Sequence, residues 1–174
     1  MFLDDIAIRR PISANFNRGG MKRPLRGLVL HIQQGTENGT FSWFNNPVAR
    51  ASAHFGNPKQ GALEQFVDID NVAWAQVAGN REWISVENEG KSGESLTENQ
   101  IDNLANLLGW LHWNMDVPLR LADDSKGVGL GYHAMGGVAW GNHPHCPGKP
   151  IIDQRLFILE RAGFYRPPDA GITL

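Results

Sequence analysis

The sequence predicts an α/β domain in which a mixed central β-sheet is flanked by helices. Residues 27–33, GLVLHIQ, form a short apolar run bounded by glycine, which is typical of a buried strand. Residues 98–113 repeat leucine and isoleucine at three- and four-residue spacing, which predicts an amphipathic helix. Strand-like and helix-like segments alternate irregularly, so we expect a mixed sheet rather than a wholly parallel one.

The remaining elements are predicted in chain order from local signals. Residues 1–26, rich in Arg, Gly, Pro and Asn, predict an irregular arm packed on the domain. The segment NGTFSWFNNP favours a short helix with Thr40 as N-cap that ends before Pro47. Turn-like segments then separate further strand candidates, which are residues 52–55, 63–67 and 83–87.

The second half of the chain contains the clearest helix. Thr97 and Gln100 have the spacing of a capping box, which predicts the helix start at residue 98. The glycine-rich segment 127–137 lacks the Lys-Ser or Lys-Thr of a phosphate-binding loop, so tight turns beside a site are expected there. Residues 153–162 predict a final helix. We therefore expect one domain over residues 27–163, followed by a tail or linker over residues 164–174.

Composition limits the classes of function. The 174 residues are 41% hydrophobic and 20% charged, with a formal net charge of −2, so no global basic field indicates a nucleic-acid partner. The arginines and lysines of residues 9–26 favour a solvated surface. The N-terminal residues MFLDDIAIRRPI lack the pattern of a secretory signal peptide, and no run approaches the ~20 apolar residues of a membrane span. We expect synthesis in the cytoplasm and no membrane insertion.

Histidines and the single cysteine are the candidates for chemistry. His31 lies inside the predicted buried strand, where an imidazole is costly unless it is bonded. His133 follows in GYHAMGG, and HPHC places two histidines beside Cys146. Imidazole nitrogen and thiolate sulfur are preferred zinc ligands, and three of them leave one position open. The spacing is not that of a zinc finger, so a satisfied core histidine and an inert buried thiol remain alternatives.

The order of several segments resembles the type 2 N-acetylmuramoyl-L-alanine amidases, a family that includes many phage endolysins and the peptidoglycan recognition proteins. The segments are VLHIQQGT, SAHFGNPKQGALEQFVDIDNVAWA, ISVENEG, GYHAMGG and HCPG. The resemblance covers about residues 27–162 and is most specific at VLHIQQGT, ISVENEG and CPG. It implies the amidase type 2 fold and one zinc ion held by His31, His133 and Cys146. Retention of Cys146 implies an active enzyme rather than a binding module.

The resemblance also implies roles for other residues. Glu87 falls on the family's acidic position. Its implied role is that of a general base and acid, and the alternative is a carboxylate that orients a ligand histidine. Trp74 is expected to line the substrate groove, with core packing as the alternative, and His54 to be groove-lining or structural. The sequence departs from the family pattern at Pro144 and Ala53. The residue that donates a hydrogen bond to the developing oxyanion is therefore left open. We assign this hydrogen-bond donor to His145, with His143 as the alternative. The other interpretation is that both are exposed histidines of a loop.

The implied reaction is hydrolysis of the amide between N-acetylmuramic acid and L-alanine in peptidoglycan or a muropeptide. A non-catalytic peptidoglycan-binding module and a zinc peptidase acting within the stem peptide are the alternatives. We expect a monomer without a nucleic-acid partner. A phage endolysin released through a holin pore is the first expected role. A toxin delivered between bacteria and a cytoplasmic recycling enzyme are the others.

Overall fold

The structure, a computed structural model, describes residues 1–167. The strands in this range are β1 Ile8–Arg9, β2 Phe16–Gly20, β3 Gly27–Ile32, β4 Phe55–Asn57, β5 Glu64–Gln65, β6 Asn71–Ala73, β7 Trp83–Asn88 and β8 Gly129–Tyr132. The helices are α1 Glu37–Phe44, α2 Glu98–Met115, α3 Lys149–Asp153 and α4 Arg155–Ala162. Short 3₁₀ segments cover Pro47–Ala49, Val77–Gly79 and His133–Trp140.

Six strands form one mixed sheet in the order β1-β5-β4-β7-β3-β8. The pairs β3–β7, β3–β8, β4–β7 and β1–β5 are parallel, whereas β4–β5 is antiparallel. Strands β2 and β6 form a separate antiparallel pair. The mixed α/β architecture predicted from the sequence is therefore confirmed.

The two central strands divide their side chains between the two faces of the sheet. On β3, Leu28, Leu30 and Ile32 join the large core beneath α2 and α4. Ile84 and Val86 of β7 join the same core. Side chains alternate along a strand, so the intervening residues face the other side. That second face carries Val29 and His31 from β3 and Trp83, Ser85 and Glu87 from β7.

Helix α2 confirms the predicted start signal. Both hydrogen bonds of the capping box form between Thr97 and Gln100, and the helix continues two residues beyond the predicted end, to Met115. The predicted last helix, residues 153–162, begins two residues later as α4, and α3 precedes it; Gln154 between them bonds through its side chain to the Leu96 backbone. Of the predicted tail, Tyr165 packs on the large core, and residues 168–174 lie outside the described residues.

Two predictions for the first third of the chain were wrong. The N-terminal arm is not wholly irregular, because β1 joins the main sheet and β2 pairs with β6. Helix α1 begins earlier than predicted. Thr36 in an extended conformation is its N-cap and accepts a hydrogen bond from the Gly39 N–H. Thr40 instead lies buried within the helix.

The strand limits also differ from the predictions. Residues 52–54 precede β4 without strand pairing, because the His54 carbonyl receives both the Phe66 and Val67 N–H groups. Only Glu64–Gln65 of the predicted strand 63–67 is extended and paired. Part of the glycine-rich segment 127–137 is not a turn but the edge strand β8. A Cβ on Gly27 would lie 1.8 Å from the Gly129 carbonyl oxygen, so glycine here permits close strand pairing.

Among residues 1–167, no helix combines the length and apolar character needed to cross a membrane. The domain limits at residues 27 and 163 stay a prediction.

Candidate metal centre

The centre is built at the carboxyl ends of the parallel strands. His31 of β3 and Glu87 of β7 are paired in register, on the face of the sheet opposite the large core. Their side chains therefore lie side by side, with His31 Nδ1 3.9 Å from Glu87 Oε1. Sheet geometry alone places an imidazole beside a carboxylate at this edge.

Two further segments complete the cluster. His133 directly follows β8, the other neighbour of β3. Cys146 lies in the loop before α3, where the Ala134 N–H donates to its carbonyl oxygen and holds the loop against the His133 segment. One ligand atom from each of His31, His133 and Cys146 lies within 4.8 Å of the other two. The structure thus brings together the three residues predicted as metal ligands.

The ring of His31 is oriented by a buried glutamine. His31 Nε2 lies 3.2 Å from Gln76 Oε1, and the Gln76 Nε2 group donates to the Gly79 carbonyl. That second bond fixes the amide orientation, so the glutamine oxygen accepts and His31 Nε2 carries the proton. The Nδ1 lone pair of His31 is then free for a cation. Partners of this kind usually hold the rings of metal-binding histidines.

His133 is held in the same manner by a backbone carbonyl. Its Nε2 lies 2.9 Å from the Trp140 carbonyl oxygen, which can only accept, so Nδ1 of His133 is the unprotonated nitrogen. The Trp140 indole packs edge-on against Trp83 and between Gly79 and Gly136. A Cβ on Gly136 would lie 2.0 Å from Trp140 Cγ, so these glycines make room for the indole.

Proton affinities in the cluster fit a cation site. Burial lowers the pKa of His133 to about 4 and that of His31 well below its ordinary value, and both rings are neutral at pH 7. Burial first, and the neighbouring Glu87 second, raise the pKa of the Cys146 thiol far above its usual range. Free nucleophilic cysteines show the opposite shift, whereas a coordinated thiol loses its proton to the metal. Two neutral imidazoles and one such thiol match the donor set of zinc.

Glu87 stands beside this cluster in a nearly dry environment. Its side chain is 15% exposed, and its Oε2 is buried without a hydrogen-bond partner among the described residues. Burial first, and Glu37 second, raise the pKa of Glu87 to about 8. A carboxyl with a pKa near the working pH is suited to accepting and returning a proton.

An open cleft of about 380 Å³ gives access to these groups. Its walls include His31, Glu87, His133, His143, His145 and Cys146. His143 and His145 are exposed, and the His143 ring lies 4.6 Å from that of His133. Both candidates for the oxyanion donor therefore line the cleft. The role assigned to His145 stays a prediction.

Two predicted groove residues lie elsewhere. Trp74 is half-buried and lines a neighbouring cavity with Arg18 and Arg81, where its indole N–H donates to Asn17. Its contact with substrate stays a prediction. His54 is fully buried, so a groove-lining role is wrong for this conformation. The Ser85 N–H donates to His54 Nδ1, so Nε2 carries the proton and donates to the Asn71 carbonyl.

Sequence reasoning did not identify Gln76, the Trp140 carbonyl or Glu37 as neighbours of the site. A backbone carbonyl has no sequence signal. Glu37 is the first residue of α1 and would normally be solvated there, yet it is buried. The signal available was Gly56, whose missing side chain leaves the space that Glu37 occupies.

Comparison with known proteins supports the resemblance seen in the sequence. The family model described as N-acetylmuramoyl-L-alanine amidase matches residues 21–149. N-acetylmuramoyl-L-alanine amidase A of Achromobacter lyticus is 30% identical over 90 residues, which cover 51% of this chain and 50% of that protein. The chain thus spans about half the length of this curated relative.

Solved structures agree in fold. The hydrolase AmiA of Staphylococcus aureus, solved with its ligand, superposes with a TM-score of 0.69 at 16% identity, covering 88% of this chain and 81% of that one. A mutant endolysin from Bacillus subtilis gives a TM-score of 0.63 at 17% identity, covering 91% and 100%. These identities show the fold alone, whereas the family model covers most of the sequence. The chain therefore belongs to the N-acetylmuramoyl-L-alanine amidase family.

Proposed function

We propose that this chain is a zinc-dependent amidase that hydrolyses the bond between N-acetylmuramic acid and L-alanine in peptidoglycan. One observation carries the proposal. Ligand atoms of His31, His133 and Cys146 lie within 4.8 Å of one another in an open cleft, beside a buried carboxyl. A structural zinc site usually has four protein ligands, whereas three leave a position for reaction.

The residues of the chain have separate tasks in this proposal. His31 and His133 offer Nδ1 because their Nε2–H groups donate to Gln76 and to the Trp140 carbonyl. Cys146 offers its sulfur atom. When bound there, a zinc ion supplies a Lewis acid for the amide carbonyl and lowers the pKa of water toward ~7.

Glu87 is the proposed general base and acid. It accepts a proton from the attacking water and returns that proton to the alanine nitrogen as the amide bond breaks. His145, which also lines the cleft, donates a hydrogen bond to the developing oxyanion, with His143 as the alternative donor. Trp74 is proposed as a substrate contact outside the metal cleft, because its chain neighbour Ala75 lines that cleft.

The biological role proposed is cell-wall lysis, as an endolysin acting on the wall as a monomer. Support comes from the fold shared with a Bacillus subtilis endolysin and from the open cleft beside the candidate metal ligands. A phage origin and release through a holin pore are part of this proposal. A delivered toxin and a recycling enzyme share the same chemistry and differ in their preferred substrate.

Product analysis of digested sacculi tests the reaction. The full chain is incubated with purified sacculi, with and without a chelator, and the products are identified by mass spectrometry. The proposal expects intact stem peptides with new L-alanine amino termini, and their loss with chelator. Fragments cut within the stem would indicate a peptidase, and binding without products would indicate a non-catalytic module.

Two variants make the result specific. His133→Gln should abolish product release, whereas Gln60→Leu, at an exposed residue outside the cleft, should leave it unchanged. Faster cleavage of soluble muropeptides than of sacculi would favour a recycling enzyme over a lytic one.

A further inference from the structure

Glu37 is a buried acid that the proposed chemistry does not use. It is the first residue of α1, yet its side chain is only 6% exposed. Its Oε1 is buried without a hydrogen-bond partner among the described residues. Burying a carboxyl in this way is costly. Stability alone does not explain the placement.

The sheet places this carboxyl next to Glu87. On β7, Glu87 pairs with His31 of β3 on one side and with Gly56 of β4 on the other. Side chains of paired residues share a face and lie about 5 Å apart. A Cβ on Gly56 would be 1.8 Å from Glu37 Oε1. Glu37 therefore occupies the position beside Glu87 that a Gly56 side chain would fill.

Gln33 connects the two acids. Its side-chain Nε2 donates to Glu37 Oε2 at 2.5 Å and to the Glu87 carbonyl oxygen at 3.1 Å. Its backbone N–H donates to the Asn88 carbonyl, so the ends of β3 and β7 are tied together at this point. The amide thus uses both side-chain hydrogens to hold α1 against the strand that carries Glu87.

Glu87 is a lining residue of two separate spaces. It lines the metal cleft, and it also lines an adjacent cavity of about 350 Å³ beside Gln33, Thr40 and Trp43. Only a carboxyl turned toward the cleft can reach the attacking water.

We propose that Glu37, held over Gly56 and linked to Gln33, is a positioning residue that keeps the Glu87 carboxyl turned toward the metal cleft. The inference rests on the proposed role of Glu87. Glu37 is suited to stand next to another acid because burial raises its pKa to about 8 and keeps it largely neutral at pH 7. Two adjacent carboxylates would repel each other, whereas a neutral acid beside Glu87 adds no such repulsion.

The test compares Glu37→Leu with Glu37→Gln in the zinc-loaded full chain on soluble muropeptides. Leucine fills the space but removes the link to Gln33, so kcat should fall by about 10- to 100-fold with KM and zinc content unchanged. Glutamine can still accept from Gln33 and should restore kcat to within a few-fold of wild type. Gln65→Leu is the matched control, since it also removes a fully buried polar side chain, but in β5 outside the cleft. It should lower the melting temperature without lowering kcat.

A double variant identifies the residue through which Glu37 acts. In a Glu87→Gln background, Glu37→Leu should cause no further loss of kcat, because residues that act as a unit are not additive. Gln33→Met removes the same link from the other side and serves if Glu37→Leu does not fold.

Four outcomes overturn the inference. If the wild type is active, an unchanged kcat in the folded Glu37→Leu or Gln33→Met variant would overturn the inference. So would a multiplicative loss in the double variant, or an equal kcat loss in Gln65→Leu. An inactive wild type would instead overturn the proposed function, and this inference with it.

Discussion

His31 and Glu87 are registered partners on adjacent parallel strands, with Nδ1 and Oε1 3.9 Å apart. This pairing links the proposed metal ligand to the proposed base through the sheet itself. The strand ends are tied further by Asn88, whose side chain donates to the His31 carbonyl. Relative movement of the two strands would break backbone and side-chain hydrogen bonds together, so the fold sets the spacing of the two residues along the sheet.

Glu87→Gln should separate metal binding from proton transfer. The amide keeps the volume of the side chain but cannot accept the water proton, so kcat should fall by about 10²- to 10⁴-fold. Zinc content, measured by elemental analysis, should stay at the wild-type value because Glu87 is not a proposed ligand. If Glu87→Gln keeps full turnover, Glu87 has no acid–base role. If it loses zinc, Glu87 orients a ligand or is itself a ligand.

Cys146→Ser should weaken zinc binding. A serine hydroxyl is smaller than a thiol and much harder to deprotonate, so the site loses its anionic ligand. The measurement is the zinc retained during dialysis against a chelator of graded strength. His112→Gln is the control, because this histidine lies at the end of α2 and bonds to the Val117 carbonyl. Equal zinc retention in wild type and Cys146→Ser would remove Cys146 from the ligand set.

The strands of the metal centre were predictable because their sequence signals are local. Residues 27–33 and 83–87 were predicted as strands and form β3 and β7, whose parallel pairing in the structure places His31 beside Glu87. Strand β8 was missed, since glycine has low strand propensity. A Cβ on Gly129 would lie 2.1 Å from the Arg120 carbonyl oxygen and one on Gly131 would lie 2.4 Å from Met135 Cε, and these contacts are visible only in the folded chain.

The proposed ligand set came from the family resemblance, but the groups that orient the two histidines had no signal in it. Gln76 directly precedes the 3₁₀ segment Val77–Gly79, and Trp140 is the last residue of the 3₁₀ segment His133–Trp140. From these positions they bond to His31 and His133. His54 misled for a physical reason. A histidine beside a predicted groove resembles a binding residue, and only its three-dimensional surroundings, Ser85 and the Asn71 carbonyl, show that its hydrogen bonds are already made.

Gln76→Leu should lower zinc affinity without removing a ligand. Leucine leaves the His31 Nε2–H buried without an acceptor and frees the ring to turn, and loss of such a partner typically costs about 10- to 100-fold in metal affinity. Competition with a fluorescent zinc chelator measures the change. Gln60→Leu, the same substitution at an exposed residue, should bind zinc as wild type does. Equal affinities for the two variants would show that Gln76 does not orient His31.

His54 should make the unfolding free energy depend on pH in the acid range. Burial lowers the pKa of His54 to about 4 from an ordinary value of 6.5, so between these values the unfolded chain takes up a proton that the folded chain does not. The contribution of His54 to the unfolding free energy is therefore fully present above pH 6.5 and is lost as the pH falls toward 4. The slope is about 1.4 kcal/mol per pH unit, giving about 3 kcal/mol over the window.

The measurement is urea unfolding of wild type and His54→Gln in chelator, at intervals from pH 4.5 to 7.5. His31 and His133 contribute in the same direction, and Glu37 and Glu87, whose pKa values burial raises to about 8, in the opposite one. Because these groups are present in both proteins, the difference between the two curves isolates His54. The difference should be constant above pH 6.5 and should shrink below it, since only wild type carries the penalty of the buried imidazole. A difference that stays constant down to pH 4.5 would mean that the imidazole is protonated in the folded state, with the hydrogen bonds around Nδ1 rearranged.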